Sequence, residues 1–281
     1  MPVDSVKKVD VATVAELLDR EISQGEIELP LLPAVATKVL SSSVDERADA
    51  TLLADLIRQD QGLATHVLRV VNSPGLRGTI EIVSLQQAIT RLGMERIREI
   101  AVSASVKKTL FKKGAYLHVA QEAWKAALAA SLWSKEVARA CRKNVEIGYL
   151  CGLLHNIGVP VVLNHLDRIA PRLTASELTQ LLDDEASRTG EMLVRKWQLP
   201  AAVATTIVTI GQLELAGEHT DAVAVAACGV SLAGWMFNEE LDVEHAMQIP
   251  AVQYLNLYPE DVADILEKQE MVVIAIESMS A

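Results

Sequence analysis

The chain has few cysteines, and their positions exclude two common kinds of site. Cys141, Cys151 and Cys228 are the three cysteines among 281 residues, and no two of them have the short spacing of a zinc or iron–sulfur site. An odd number, with two members in apolar surroundings, indicates reduced thiols rather than a disulfide framework. We therefore expect a cytoplasmic protein.

Aromatic residues are also scarce. The chain has four Trp, four Tyr and two Phe residues, although 50% of its residues are hydrophobic. An interior in a chain of this length must therefore consist mainly of Leu, Val, Ile and Ala, which favours packed helices. The composition predicts an all-α protein.

Positive charge is in deficit. The formal net charge is -11 at pH 7. Binding to nucleic acid needs clustered Lys and Arg side chains at the phosphates, and a globally negative field opposes such binding. Nucleic acid is therefore an unlikely partner, although a local basic face remains compatible with the composition.

No segment has the pattern of an export signal or a membrane span. Residues 1–10 lack the apolar stretch of a signal peptide. The uncharged run at residues 222–237 is short for a membrane span and is flanked by Asp221 and Glu239. We expect no association with a membrane.

The longest apolar segment contains a polar pair. Residues 147–166 include no Asp, Glu, Lys or Arg, but they include His155, Asn156, Gly158 and Pro160, which interrupt the run needed to span a bilayer. Helical spacing of the apolar residues before His155 predicts a buried helix. That helix delivers the polar pair to its C-terminal end, where Gly158 and Pro160 stop it.

Apolar spacing and capping signals divide the remainder of the chain into helices. Ser84 with Gln87 and Thr174 with Glu177 have the pattern of capping boxes. A polar loop is predicted at residues 41–46, and Gly93 is predicted to separate two helices. Helices are predicted over residues 11–24, 33–40, 51–60, 63–71, 85–92, 95–110, 121–139, 203–210 and 222–237, from Thr174 to about Asp183, around residues 192–197, and after Pro259.

Several blocks resemble the HDOD family, the HD-related output domain of bacterial signalling proteins. They follow that family's order, which makes the set more specific than any single block. The blocks are LPLLPAVA at residues 29–36, LIRQD at 56–60, LRVVNS at 68–73, SLQQAITRLG at 84–93 and EMLVRKWQLP at 191–200. The resemblance implies a multi-helix HDOD fold over nearly the whole chain. It implies a helical extension (residues 1–27), an N-terminal helical lobe (28–112) and a degenerate HD-like lobe (113–281).

The segment GLLHNIG at residues 152–158 resembles the GLLHDIG segment of the HD superfamily, whose phosphohydrolases bind a divalent metal through the His-Asp pair. The resemblance places that pair at His155 and Asn156, and the first metal-binding histidine at Ala126. A methyl group has no donor atom, and a neutral amide is a weaker ligand than a carboxylate. No acidic residue occurs within residues 222–237, where the last HD aspartate is expected. The resemblance therefore implies a vestigial metal site.

His155 has two interpretations, a residual metal ligand or a hydrogen-bonded core residue. A zinc or iron site needs three or more converging protein ligands, and one candidate is present, which favours the structural role. Asn156 is expected to cap the helix or tie a loop. The other histidines are scattered, so we expect neither a bound metal nor a cofactor.

No other segment has a catalytic pattern. The chain lacks a Gly-rich nucleophile elbow, a dinucleotide-binding fingerprint and a P-loop. The acidic run at residues 183–185 is interpreted as a solvated loop between helices.

The segment at residues 84–113 is basic, with seven Lys and Arg against two Glu. It has two interpretations, an ordinary helical corner or a helix-turn-helix with Ala88–Gly93 as first helix and turn. The apolar second helix and the acidic chain favour the corner. Its basic side chains form a possible interaction surface for an acidic protein or a nucleotide phosphate: Arg91, Arg96, Arg98, Lys107 and Lys108.

The favoured function is a non-catalytic bacterial signalling or regulatory module that acts through contacts with signalling proteins that the sequence does not identify. No receiver or cyclase motif is visible, so its signal is expected from a separate protein or ligand. The alternatives are a metal-dependent phosphohydrolase of the HD superfamily and a helix-turn-helix regulator that binds DNA.

Overall fold

A computed structural model describes residues 11–41, 49–170, 172–238 and 242–280. The predicted loop at 41–46 and the first ten residues lie almost entirely outside this part of the chain. Within it, every regular element is a helix, which confirms the all-α prediction. The helices are α1 (Val11–Ser23), α2 (Ala34–Ser41), α3 (Ala50–Arg58), α4 (Gln61–Val71), α5 (Leu85–Leu110), α6 (Leu117–Ala140), α7 (Val145–Leu154), α8 (Gly158–Ile169), α9 (Ala175–Lys196), α10 (Ala201–Thr209), α11 (Thr220–Asn238), α12 (Val243–Ala246), α13 (Pro250–Tyr254), α14 (Pro259–Leu266) and α15 (Gln269–Ser280).

The predicted capping signals begin two of the long helices. The Thr174 side chain accepts from the Glu177 amide, and the Glu177 carboxylate accepts from the Thr174 amide, so this capping box is confirmed. At α5, Ser84 accepts from the Gln87 amide as predicted, but the Gln87 side chain accepts from the Val83 amide, one residue before the cap. Both helices therefore start where the sequence places them.

Helix α5 is broken at Gly93, as predicted. Gly93 has φ 82° and ψ 158°, a backbone conformation that residues with a Cβ rarely adopt. The two halves of α5 are thus separate helical segments that meet at one residue.

One predicted helix end is wrong, and at another the helix ends before His155 as predicted but its expected stop residues begin the next helix. The acidic residues Asp183, Asp184 and Glu185 lie in the middle of α9, which runs for 22 residues without a loop. In addition, Gly158 and Pro160 do not follow α7 as an irregular stop, since both lie in the first turn of α8. Proline is tolerated there because the first turn of a helix needs no backbone N–H partner.

Helix α6 is the centre of the C-terminal part, and it packs closely against α7 and α11. Glycines make this approach possible. A Cβ at Gly152 of α7 would lie 2.7 Å from the Ala130 carbonyl oxygen, and one at Gly229 of α11 would lie 2.8 Å from the same oxygen. Trp133 of α6 is fully buried between its neighbours.

One continuous hydrophobic core includes residues from both predicted lobes. Helix α15 contributes to this continuity, because it packs against α4, α5 and α6. The Lys107 ammonium donates to the Ser280 carbonyl oxygen at 2.6 Å, and the Ser73 and Ser278 hydroxyls are 2.8 Å apart. The boundary between lobes at residue 112 stays a prediction.

Two of the recognised sequence blocks meet in space. The Trp197 indole N–H donates to the Pro30 carbonyl oxygen at 2.9 Å, and the Lys196 ammonium donates to the Leu29 carbonyl oxygen at 2.8 Å. Residues 29–36 are therefore held against the C-terminal end of α9. Helix α1 packs on the same helix, through Arg188 and Asp19 at 2.8 Å.

Two stretches, Val145–Ile169 and Gly217–Phe237, are long and apolar enough to cross a membrane by length and composition alone. In the first, 67% of the most apolar window is buried within the fold, and the stretch is divided between α7 and α8. The first stretch is thus consistent with core helices, and in the second 44% of the corresponding window is buried.

Glu185 gives a prediction about pH. It is 8% exposed, its Oε2 has no hydrogen-bond partner within the described residues, and burial raises its carboxyl pKa despite Arg188 nearby. A raised native pKa means that this group favours folding most below its unfolded pKa, and that the benefit is lost as pH rises through the native pKa. We expect Glu185→Gln to raise the free energy of unfolding at pH 7 by about 1 kcal/mol.

The measurement is urea unfolding of both proteins at pH 7 and at pH 4. The difference should shrink at pH 4, where the native carboxyl is protonated. Asp184→Gln is the control, because Asp184 is exposed on the same helix and should change stability by less than about 0.5 kcal/mol at either pH. If Glu185→Gln raised the free energy of unfolding equally at both pH values, the raised pKa of Glu185 would be contradicted.

Candidate functional site

His155 follows directly after α7, at the end of the most apolar helix of the chain. Its Nδ1 is 2.8 Å from the Gly152 carbonyl oxygen. Because a carbonyl oxygen only accepts, Nδ1 carries the proton and Nε2 keeps its lone pair. Burial lowers the pKa of His155, so the imidazole is neutral at pH 7. This side chain is held by its own helix.

Asn156 ties the turn between α7 and α8 to helix α6. Its side-chain amide donates to the Ala123 carbonyl oxygen at 3.0 Å. An aspartate in this rotamer would place a carboxylate oxygen against that carbonyl oxygen, which is repulsive. The amide is thus suited to this contact, and the expected role of Asn156 in tying a loop is the one found.

Ala126 lies on α6, three residues after Ala123, so the two residues share a face of the helix. The structure therefore brings Asn156 to the α6 face that carries Ala126. The carboxylate nearest to the expected last ligand position is Asp221, in the first turn of α11. It is 2.6 Å from the Lys143 ammonium and accepts from the Tyr254 hydroxyl. Asp221 is therefore engaged in an ion pair and a hydrogen bond.

These residues do not fit a metal centre. Ala126 has no donor atom, the Asn156 amide nitrogen is used as a hydrogen-bond donor, and the His155 Nε2 is one candidate ligand. In the described part of the chain, no three His, Cys, Asp or Glu side chains form a group able to hold a metal ion. A site of this kind needs three or more protein donors.

A sequence model of the HDOD domain matches residues 29–212. The chain belongs to the HDOD domain family. Its matched region includes the contact between residues 29–36 and Trp197 as well as both positions of the His155–Asn156 pair.

Solved structures share the fold of this HDOD protein. An HDOD domain protein of unknown function from Geobacter sulfurreducens has a TM-score of 0.69 with 21% identity, over 96% of this chain and 99% of that one. A Shewanella amazonensis protein, provisionally named a metal-dependent phosphohydrolase, has a TM-score of 0.70 with 18% identity, over 96% and 98%. A Marinobacter aquaeolei protein, provisionally named a signal transduction protein, has a TM-score of 0.65 with 20% identity, over 99% and 68%.

A curated relative is an uncharacterized protein of Treponema pallidum, 22% identical over 213 residues. The match includes 72% of this chain and spans 41% of the relative's length. The likeness is therefore to a part of that protein.

The cysteines of the HDOD chain are not nucleophiles in this environment. Burial raises the thiol pKa of Cys151 to about 11 and that of Cys228 to about 12. A thiol must ionise to attack an electrophile or bind a metal, and these two stay protonated at neutral pH.

The predicted basic surface is divided among several contacts. Arg91 donates to the Leu76 carbonyl oxygen at 2.7 Å, Arg96 is 3.1 Å from the Glu99 carboxylate, and Arg98 is paired with Glu146. Side chains of Arg96 and Arg98 are 17% and 14% exposed. Arg91 therefore fastens the preceding loop to α5, Arg98 joins α5 to α7, and Arg96 is paired within α5.

Helix α5 also decides the helix-turn-helix alternative. Its second half, the supposed recognition helix, buries Ile97, Ile100, Ala101, Val102 and Val106. A recognition helix must present one face to the major groove, and this one is packed into the protein interior. The interpretation as an ordinary helical corner agrees with the structure.

An ion-pair cluster that was not identified from the sequence joins α5 to α6. The Lys135 ammonium is 2.5 Å from the Glu99 carboxylate and 3.3 Å from that of Glu95, and Arg139 is 2.8 Å from Glu95. Glu99 and Lys135 are each 6% exposed. The available signal was the i,i+4 spacing of two acids on α5 and of two bases on α6.

Proposed function

We propose that this HDOD protein is a non-catalytic signalling or regulatory module that acts through contacts with other proteins. The observation that supports the proposal is the hydrogen bonding of His155 and Asn156, the two polar side chains that remain at the HD positions. His155 and Asn156 bond to the backbone carbonyls of Gly152 and Ala123, so their polar atoms hold α7 and the following turn in place. Ala126 supplies no ligand beside them.

The signalling role draws support from the family. The HDOD domain is an output domain related to HD enzymes, and the Marinobacter neighbour carries a signalling name. The Shewanella neighbour carries the name of a phosphohydrolase, which makes catalysis the alternative to test.

The loop between α4 and α5 is a candidate surface for a protein partner. Ile80 and Val83 are 79% and 71% exposed. The loop is nevertheless fixed, because the Asn72 side chain bonds to both the amide and the carbonyl of Ile82. Exposed apolar side chains on a preordered loop lose little conformational entropy when a partner covers them.

We expect a chelator to leave the thermal unfolding midpoint unchanged, because a metal that is not bound cannot stabilise the fold. We also expect His155→Ala to lower the free energy of unfolding by about 1–2 kcal/mol, through loss of its partly buried hydrogen bond. The measurements are elemental analysis of protein purified without chelator, calorimetric unfolding, and hydrolysis assays on cyclic dinucleotides.

His219→Ala is the control, since His219 lies far along the chain in a turn outside the HD positions. Stoichiometric metal together with phosphodiester cleavage that disappears in His155→Ala would overturn the proposal. For the partner surface, Ile80→Ser with Val83→Ser should reduce recovery of partners in crosslinking, whereas Leu215→Ser, at an apolar residue that is 62% exposed, should not.

A further inference from the structure

A cavity of about 720 Å³ lies where α4, α5, α6 and α15 meet. This volume is in the range of sites that enclose small organic ligands. Two of the predicted basic surface residues, Lys107 and Lys108, line it, but the HD positions do not. The cavity joins helices of the predicted N-terminal lobe to helices of the predicted HD-like lobe.

An aromatic pair forms one wall of the cavity. The Phe111 and Trp124 rings are 5.3 Å apart between centroids, at an angle of 64°. Trp124 is 5% exposed, and its indole N–H has no hydrogen-bond partner among the described residues. A buried N–H without a partner is costly to the fold.

Two cations that line the cavity, the half-buried Lys107 and the exposed Arg69, lack a carboxylate partner among the described residues. Lys107 is half-buried, its ammonium bonds to the neutral Ser280 carbonyl oxygen, and within residues 11–280 as described it forms no ion pair with a carboxylate. Arg69 of α4 forms no ion pair with a carboxylate in the described residues. Burial lowers the pKa of His66, and the positive charges of Arg69 and Lys107 lower it further. The three side chains are thus close enough to act on one another.

The acidic residues of the cavity are placed differently. Glu122 and Glu277 are exposed at its rim, where water screens their charge. Asp60 is 3.1 Å from the Lys108 ammonium and also caps α4 through the Leu63 amide. The two carboxylates that pair with no cation in the described part of the chain, Glu122 and Glu277, therefore lie on the solvent side, and Lys107 is less exposed than either of them.

We propose that this cavity binds a nucleotide-type organic phosphate, whose phosphate contacts Lys107 and Arg69 and whose planar group packs on the partly exposed Phe111 ring, which Trp124 supports from behind. Phosphate oxygens pair strongly with Arg and Lys, and a base has a flat apolar face that stacks on aromatic rings. Binding here does not require metal at the HD positions, because Arg69 lies on α4, Lys107 on α5 and Phe111 directly after α5, and Ala126, His155 and Asn156 do not line the cavity.

The test is isothermal titration calorimetry of the full chain with AMP, GMP, adenosine and inorganic phosphate. We expect saturable binding of at least one mononucleotide, and binding of adenosine and of inorganic phosphate that is weaker by tenfold or more. Arg69→Gln should weaken mononucleotide binding by about tenfold. Phe111→Leu should weaken the binding of the mononucleotide and leave the binding of inorganic phosphate unchanged.

Arg20→Gln is the matched control, because Arg20 and Arg69 are both exposed arginines in the last turn of a helix. It should leave binding unchanged. No saturation by either mononucleotide at millimolar concentration would overturn the proposal. So would equal affinity for inorganic phosphate, or an equal effect of Arg20→Gln and Arg69→Gln. Hydrolysis of the bound mononucleotide would contradict the non-catalytic function separately, without affecting the assignment of the cavity.

Discussion

Lys135→Met is expected to lower the free energy of unfolding by about 3 kcal/mol. The substitution removes the ammonium that lies 2.5 Å from the buried Glu99 carboxylate. Leaving one member of a buried ion pair without its partner costs about 3–5 kcal/mol, because the remaining charge is desolvated without compensation. Arg96 stays 3.1 Å from Glu99, so the loss should fall at the lower end of that range.

Urea unfolding followed by circular dichroism measures this loss. In the double variant Lys135→Met with Glu99→Leu, both members of the buried pair are neutral, although Arg96, which is 17% exposed, loses its partner Glu99. We therefore expect part of the lost stability to return. Arg139→Gln is the control, since the Arg139 side chain is 42% exposed and its ion pairs should contribute less than about 1 kcal/mol. A double variant no more stable than Lys135→Met alone would disprove the unpaired-charge explanation.

Gly158→Ala is expected to destabilise the fold by about 3 kcal/mol. A Cβ at this residue would overlap the Ala186 carbonyl oxygen and lie 2.7 Å from the Gly190 amide nitrogen. Both obstacles are backbone atoms of α9, so no side-chain rotation relieves the clash. Helices α8 and α9 would have to separate where Gly158 and Gly190 now face each other.

Gly234→Ala should change the stability in the opposite direction. Gly234 is exposed in α11, and a Cβ there would meet no atom of the described residues within 4 Å. Alanine loses less backbone entropy than glycine on folding into a helix, so this variant should be more stable by about 0.5–1 kcal/mol. Thermal and urea unfolding of both variants give the comparison. Similar effects at the two glycines would show that helix propensity, rather than contact between α8 and α9, controls the result.

Local signals predicted the helices well because caps and apolar spacing act over a few residues. Thr174 with Glu177 begins α9, and Gly93 interrupts α5, as the sequence indicates. The prediction was wrong at residues 183–185, where an acidic run continues the helix. Asp183 and Asp184 are exposed on α9 and Glu185 is buried, so the helical period holds through the charged residues.

Contacts between residues that are far apart in the chain could not be predicted from the sequence. The sequence blocks at residues 29–36 and 191–200 were identified, but their hydrogen bonds through Trp197 and Pro30 depend on how α9 lies against the N-terminal segment. The pairing of Lys135 with Glu99 depends on the register between α5 and α6. Spacing along one helix determines which side chains share a face, and it does not determine which helix that face meets.

The sequence by itself determined that the chain is helical, that it has the HDOD blocks, and that Ala126 has no atom able to bind a metal. Those properties depend on composition, on order along the chain and on the chemistry of single side chains. Only the tertiary structure decided that Asn156 bonds to Ala123, that Arg96 and Arg98 are held in ion pairs, and that Lys107 and Arg69 line one cavity with Trp124. These depend on the packing of helices that are far apart in the chain, because packing alone sets the distances between their side chains.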